Sequence, residues 1–159
     1  MPFDWPRPPF RIVLVEPEIP ANTGNIARLC AGVGSPLHLV GQLGFRVNDK
    51  DLKRAGLDYW DSVDLSRHVN FEAFVRDVSP PRMYFFSTRG RRNYMDVEYQ
   101  PGDALVFGSE QTGLADELVE AERERVLCIP MKADAVRSLN LANAVSIVLY
   151  EALRQCREG

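Results

Sequence analysis

The segment 126–151, VLCIPMKADAVRSLNLANAVSIVLYE, limits the possible folds of this chain because its periodicity changes abruptly around a short hinge. Residues 126–129 form an apolar run of the length of a buried strand, and Pro130 cannot donate the next ladder hydrogen bond. After a charged hinge, Ser138 is a good N-cap candidate, and no Gly or Pro follows Leu139 until the final residue. We therefore predict a buried strand, a hinge and a long C-terminal helix.

The predicted helix carries two further signals. Residues 144–150 are apolar nearly all round, so we expect the helix to be buried on two sides, which in a small chain indicates a partner subunit. Asn140 and Asn143 lie one turn apart near its start. Their amides can cap the helix, or they can face a ligand cleft at the carboxyl end of the strand, and both interpretations remain open.

Length and composition indicate a globular protein. A chain of 159 residues with 45% apolar and 26% charged residues fits one ordinary domain. Residues 1–10 contain four prolines and are predicted to be an extended leader, and residues 11–159 form the single domain. No apolar run approaches the roughly 20 residues of a membrane span, and the first residues lack a signal-peptide core. We expect a cytoplasmic protein that does not contact the membrane.

Cysteine, histidine and charge exclude several function classes. The three cysteines show no CxxC spacing and the two histidines lie far from any cysteine cluster, so no metal site is expected. A net charge of −3 argues against a protein that coats nucleic acid without specificity, although a local basic patch remains compatible with it.

Strand and helix patterns alternate along the chain. Strands are predicted at 11–15, 37–40, 62–65, 83–87, 104–107 and 126–129; helices are predicted at 22–33, 49–55 and 70–78, in a short stretch ending near 122, and from 139 onward. This alternation predicts an α/β fold with a mainly parallel sheet and helices on both faces. Four loops, 22–25, 88–90, 108–110 and 131–140, then converge at one edge of the sheet.

The converging loops offer amides, hydroxyls, one arginine and one glutamate. No GxGxxG, GxxxxGK[ST] or GxSxG sequence occurs, so the chain lacks the usual signatures of dinucleotide binding, of P-loop NTPases and of α/β-hydrolases. The inventory suits the orientation of a reactive cofactor better than hydrolysis.

Three ordered motifs carry a resemblance to a known family. They are PEIPANTGNIAR at 17–28, FGSEQTGL at 107–114, and IPM at 129–131 with SLNLANA at 138–144; RAGLDYW at 54–60 adds to them. Over residues 11–156 the chain resembles the SPOUT class of S-adenosylmethionine-dependent RNA methyltransferases. It is most similar to the YibK-like tRNA 2′-O-methyltransferases, which act on the cytidine or uridine at wobble position 34.

This resemblance implies a C-terminal trefoil knot and a homodimer that packs through the C-terminal helices. It also implies S-adenosylmethionine as cofactor, with S-adenosylhomocysteine as product. The cofactor-binding residues that match the family motifs are Thr88, Arg89, Gly90, Gly108, Glu110, Ile129, Pro130, Met131, Ser138, Leu139 and Asn140.

The resemblance further implies a catalytic set of Arg28, Asn22, Ser138 and Asn140. A guanidinium is a poor base, so Arg28 suits phosphate binding and stabilisation of a developing alkoxide better than proton abstraction. Asn22, Ser138 and Asn140, together with Glu110, would position Arg28 and the ribose. Without the motif, Arg28 would be read as a solvated helix residue.

A tRNA substrate implies a phosphate-binding surface. The candidates are Arg46, Lys50, Lys53, Arg54, Arg89, Arg91 and Arg92, although charged loops are commonly only solvated. Ser109 and Thr112 stand where close relatives often carry proline and arginine. Alternative functions are 2′-O-methylation of ribosomal RNA or of another tRNA position, and a non-catalytic knotted RNA-binding protein.

Overall fold

The protein is described by a computed structural model that covers residues 2–47, 50, 54, 60–132 and 135–157. Most of the predicted helix 49–55 lies outside the described residues, as do Lys53 and positions 55–59 of the fourth matching segment.

Seven parallel strands form one sheet in the order β3-β2-β1-β6-β4-β7-β5. The predicted mainly parallel α/β sheet is thus confirmed. The strands are β1 Arg11–Val15, β2 Leu37–Val40, β3 Leu65–His68, β4 Met83–Phe86, β5 Arg92–Asn93, β6 Ala104–Phe107 and β7 Val126–Cys128.

In the described part of the chain, four α-helices with defined bounds connect or follow these strands: α1 Pro20–Val33, α2 Phe71–Val78, α3 Asp116–Ala121 and α4 Leu141–Arg157. Short 3₁₀ turns occupy Trp60–Ser62, Tyr94–Asp96 and Arg123–Arg125. Local sequence explains two of the helix ends. Gly34 ends α1 at φ 73°, a left-handed conformation that glycine adopts readily, and the Asn70 side chain caps α2 by accepting from the amide of Ala73.

Alternating strand residues bury both faces of the sheet. Ile12 and Leu14 belong to the larger core, which also contains the buried residues of α1 and α4. Val13 and Val106 belong to the smaller core, against which apolar residues of α2 and α3 pack. The predicted helices on both faces are therefore confirmed, because a strand residue that faces α1 alternates with one that faces α2 or α3.

Strand β7 lies between β4 and β5, so the chain that joins β4 to β5 must cross β7. At this crossing the Ser87 amide donates to the Leu127 carbonyl at 3.0 Å. A Cβ on Gly90 would lie 2.5 Å from the Leu127 carbonyl carbon, so the close approach requires glycine. This placement of β7 is consistent with the expected trefoil knot.

Two local predictions were wrong. The third strand is Leu65–His68 and not 62–65, because residues 60–62 form a 3₁₀ turn. Ser138 does not cap the C-terminal helix. The helix begins at Leu141, and the Asn140 Oδ1 accepts from the Asn143 amide at 3.1 Å.

The N-terminal residues pack on the larger core. Residues 2–10 form neither helix nor strand, but Phe10 is fully buried and Phe3 packs against the larger core.

Helix α4 buries Val145, Val148, Leu149, Ala152 and Leu153, whereas Ile147 and Tyr150 remain 36% and 55% exposed. Within one chain α4 is therefore buried on one side and not on two.

Candidate active site

A cavity of about 470 Å³ lies at the carboxyl edge of the sheet, where the ends of β4, β6 and β7 meet the start of α1. All four predicted loops contribute to its wall. Phe86, Phe107, Ile129 and Leu141 give it apolar surface, and amides, hydroxyls and charged groups give it polar surface. The volume and mixed lining are typical of a small-molecule site.

Most of the predicted cofactor residues line this cavity. They are Thr88, Arg89, Gly108, Glu110, Ile129, Met131, Ser138, Leu139 and Asn140. Gly90 and Pro130 are not among the lining residues: Gly90 packs on the β7 backbone, and Pro130 is exposed. Of the predicted catalytic set, Asn22, Ser138 and Asn140 line the cavity.

Arg28 does not line the cavity of its own chain. It is exposed on α1, six residues after Asn22, and six residues correspond to a rotation of about 240° around a helix axis. Asn22 is nearly buried, with 7% exposure, so the two motif residues project from different sides of α1.

The Glu110 carboxylate joins the loop after β6 to the start of α1. Its Oε1 accepts from the Glu18 amide at 2.8 Å, and its Oε2 accepts from the Ile19 amide at 2.8 Å and from Asn22 Nδ2 at 3.2 Å. No side chain caps α1 at Ile19, so this carboxylate also supplies negative charge beside the positive end of the helix dipole. The three donors make Glu110 an anchor between the loop after β6 and the start of α1.

The network continues from α1 into the hinge. Asn140 Nδ2 donates to Asn22 Oδ1 at 3.0 Å, while Asn140 Oδ1 caps α4. Because Asn22 donates to Glu110 and accepts from Asn140, the orientation of its amide is fixed by both partners. The Glu110–Asn22–Asn140 network therefore locks together the three segments that carry the sequence motifs.

Arg89 has partners within its own chain. Its Nη1 donates to the Asp116 carboxylate and its Nη2 donates to the Leu114 carbonyl at 2.6 Å. These contacts hold the loop after β6 against the loop after β4. The Arg89 side chain thus contributes to the cavity wall, with its charge paired to Asp116.

The loop after β6 is tightly folded. A Cβ on Gly108 would lie 2.2 Å from the Gly113 carbonyl carbon, so glycine is required there. The Ser109 and Thr112 hydroxyls are hydrogen-bonded at 2.7 Å, and the Gly113 amide donates to the Ser109 carbonyl at 3.0 Å. The two residues that depart from the family pattern thus form one hydrogen-bonded pair at the cavity wall.

The candidate RNA-binding cations differ in their surroundings. Arg46, Lys50, Arg54 and Arg91 are exposed. Arg92 is also exposed, and its Nη1 donates to the Glu124 carbonyl at 2.9 Å. These residues therefore present positive charge to solvent, whereas the Arg89 charge is paired.

Both histidines lie away from the cavity, on β2 and β3. His38 Nδ1 lies 3.0 Å from His68 Nε2, and His38 Nε2 lies 3.4 Å from Arg11 Nη1. Burial, together with His68 and Arg11, lowers the pKa of His38 to about 4, and burial also lowers the pKa of His68. In the described part of the chain no group of three or more His, Cys, Asp or Glu residues could hold a metal ion, and no helix is long and apolar enough to cross a membrane.

A sequence model of the SpoU rRNA Methylase family matches residues 9–150. The chain belongs to the SpoU methylase family. A tRNA (cytidine(34)-2′-O)-methyltransferase of Aeromonas hydrophila is 50% identical to it over 145 residues, which are 91% of this chain and 92% of the relative. These matches confirm the resemblance indicated by the motifs.

Solved structures resemble this SpoU methylase along most of its length. A structure described as giving structural insights into the 2-OH methylation of C/U34 on tRNA has a TM-score of 0.87 and 46% identity, and the match covers 94% of this chain and 97% of the other. The SpoU methyltransferase AviRb of Streptomyces viridochromogenes, solved in complex with the cofactor AdoMet, has a TM-score of 0.82 and 25% identity, with 94% and 61% covered.

Several residues that line the cavity of this SpoU methylase were not predicted from its sequence. Phe86 and Phe107 end strands β4 and β6, so the positions just before the predicted loops could have indicated them. Gln111 and Arg137 also line the cavity. Arg137 directly precedes Ser138, and its position in the hinge was the available signal.

Proposed function

We propose that this protein transfers a methyl group from S-adenosylmethionine to the ribose 2′-hydroxyl of the wobble nucleotide, cytidine or uridine at position 34 of tRNA. The Glu110–Asn22–Asn140 network carries the proposal, because it joins three family motifs at one cavity. The named relative at 50% identity supports the choice of substrate.

The cavity fits the proposed cofactor in size and chemistry. Its volume of about 470 Å³ lies in the range of small-molecule pockets. Phe86, Phe107 and Ile129 offer apolar surface to a purine ring, while hydroxyls and amides such as Thr88 and Ser138 can meet ribose and amino-acid groups. When bound, S-adenosylmethionine supplies an electrophilic methyl group and leaves as S-adenosylhomocysteine.

The residues of this chain provide alignment. Asn140 and Ser138 lie at the hinge side of the cavity, where they can hold the reacting ribose, and Asn22 fixes the Asn140 amide. A well-oriented hydroxyl gains much of its reactivity from this placement. The Glu110 carboxylate serves as the anchor of the arrangement, because its oxygens already accept three hydrogen bonds.

The proposed role of Arg28 requires a second subunit. Since it projects away from its own cavity on the exposed side of α1, we infer that it serves the active site of the partner. There its guanidinium would bind phosphate and stabilise the negative charge that develops on the ribose oxygen.

The dimer proposed here packs through α4. Ile147 and Tyr150 are large apolar residues that one chain leaves exposed, three positions apart on one face of the helix. Burial of such a face between two copies accounts for a helix that is more apolar than its own core requires. The tRNA would then meet exposed cations of both subunits, among them Arg46, Arg54 and Arg91. A tRNA substrate also supports the cytoplasm as the site of action.

Nucleoside mass spectrometry of tRNA tests the proposed reaction. A strain that lacks the gene should lose 2′-O-methylation at position 34, and complementation with the wild-type protein should restore it. Complementation with Arg28→Ala should fail, while the purified variant keeps its fold and its affinity for S-adenosylmethionine. An unchanged position 34 in the deletion strain would refute the wobble assignment, and full turnover by Arg28→Ala would remove Arg28 from the mechanism.

A further inference from the structure

Two arginines line the cavity, and within the described residues only one of them has a partner in its own chain. Arg89 is bound to Asp116 and to the Leu114 carbonyl. Among residues 2–47, 50, 54, 60–132 and 135–157, no hydrogen bond or ion pair engages the Arg137 guanidinium. Arg137 therefore brings to the cavity wall a positive charge that no described residue pairs.

The position of Arg137 relates this charge to the reacting group. Arg137 is exposed, so it lies at the solvent side of the cavity, and it directly precedes Ser138 and lies three residues before Asn140. The carboxylate that lines the wall, Glu110, is held by three donors. An anion that approaches the mouth of the cavity thus meets the Arg137 guanidinium, which has no hydrogen-bond or ion-pair partner among the residues that the structure describes.

We propose that Arg137 binds a backbone phosphate of the RNA next to the target ribose and thereby positions the 2′-hydroxyl. The proposal rests on the proposed function, because it requires an RNA ribose at Ser138 and Asn140. A guanidinium can bind phosphate oxygens through two parallel hydrogen bonds, and such a contact fixes register without reading the base. Exposure at the mouth favours the phosphate of a large substrate over the carboxylate of an enclosed cofactor.

The test compares Arg137→Ala and Arg137→Lys with the wild-type protein. We expect Arg137→Ala to raise the KM for tRNA and the Kd of the tRNA complex by about 10-fold or more, as loss of a charge-assisted hydrogen bond predicts. The slope of log K against log salt should decrease in magnitude by about 0.7–0.9, the value for one phosphate contact. Arg137→Lys should recover part of the affinity for tRNA, because lysine keeps the positive charge but cannot form the bidentate contact with phosphate.

Two controls separate this role from general effects. Arg76→Ala removes a 72% exposed arginine from the end of α2, outside the cavity-lining residues, and should leave KM and the salt slope unchanged. Calorimetric titration with S-adenosylmethionine should give the wild-type Kd for Arg137→Ala. The thermal midpoint should also stay constant, since Arg137 makes no hydrogen bond or ion pair in the part of the chain that the structure describes.

The outcomes distinguish the possible failures. A raised Kd for S-adenosylmethionine with unchanged tRNA binding would overturn the proposal and assign Arg137 to the carboxylate of the cofactor. No change in either affinity would show that Arg137 is only solvated. If the wild-type protein itself methylates no tRNA, the proposed function fails, whereas an active wild type matched by Arg137→Ala refutes only the role of Arg137.

Discussion

Replacement of Asn140 by alanine removes two hydrogen bonds with different purposes. Asn140 Oδ1 caps α4 through the Asn143 amide, and Asn140 Nδ2 holds Asn22. Loss of an N-cap costs about 1 kcal/mol, and loss of the side-chain pair costs about 1 kcal/mol more. For a chain of this size we expect Asn140→Ala to lower the melting temperature by about 4–8 °C.

Activity should fall much further than stability. A decrease of about 2 kcal/mol leaves a protein of ordinary stability folded at 25 °C. Misplacement of the ribose by about 1 Å, however, can reduce turnover by about 100-fold. The measurement is methyl transfer to tRNA at a temperature where circular dichroism shows the variant to be fully folded.

Two further variants separate capping from positioning. Asn70→Ala removes the matching cap of α2, where Asn70 Oδ1 accepts from the Ala73 amide at 2.8 Å outside the cavity-lining residues. It should cost about 1 kcal/mol and leave activity intact. Asn140→Ser keeps a capping oxygen but lacks the amide donor, so it should be more stable than Asn140→Ala and equally inactive. Wild-type turnover by Asn140→Ser would refute the positioning role.

Three other predictions test the fold and the assembly. Gly90→Ala should destabilise the protein by about 1–3 kcal/mol in urea unfolding, because its Cβ would strike the β7 backbone, whereas Gly32→Ala, with nothing within 4 Å, should not destabilise it. The pKa of His38 is lower in the folded state than its ordinary 6.5, so folding disfavours the protonated imidazole. The contribution of neutral His38 to the free energy of unfolding is therefore complete above pH 6.5 and is lost as the pH falls toward 4. His38→Phe should flatten the plot of stability against pH between these two values. Tyr150→Glu with Ile147→Asp should convert a dimer into a folded monomer in size-exclusion chromatography with light scattering, and a wild-type elution volume would refute α4 as the interface.

Periodicity predicted the layers of this fold well, because β-strand alternation and helix spacing are local properties. The strands 11–15, 37–40 and 104–107 match the structure, and the carboxyl ends of β4, β6 and β7 bring three of the predicted loops together at the start of α1. The third strand was misplaced because Leu65–His68 is an edge strand with polar residues and only one neighbour, so its pattern is weak. The two-residue strand β5 has no periodicity to detect.

The details of the site depend on long-range contacts that sequence patterns do not report. Ser138 and Asn140 are both good capping residues, so local sequence does not distinguish between them. In the structure Asn140 donates a hydrogen bond to Asn22, 118 positions away, and α4 begins directly after Asn140. The pairing of Arg89 with Asp116 likewise crosses between two loops. A basic residue in a loop therefore could not be assigned to RNA or to an internal partner before the fold was known.

The hydrogen bond between Asn22 and Asn140 also has a consequence for biosynthesis. Asn22 is made well before Asn140, so a nascent chain that ends before Asn140 has no hinge contact and no α4 to complete the cavity. Closing so long a loop is entropically costly and depends on contacts distant in sequence, which favours slow folding. Catalytic competence should therefore arise only after Asn140 and α4 have been made and have left the ribosome, so that products terminated before Asn140 remain inactive.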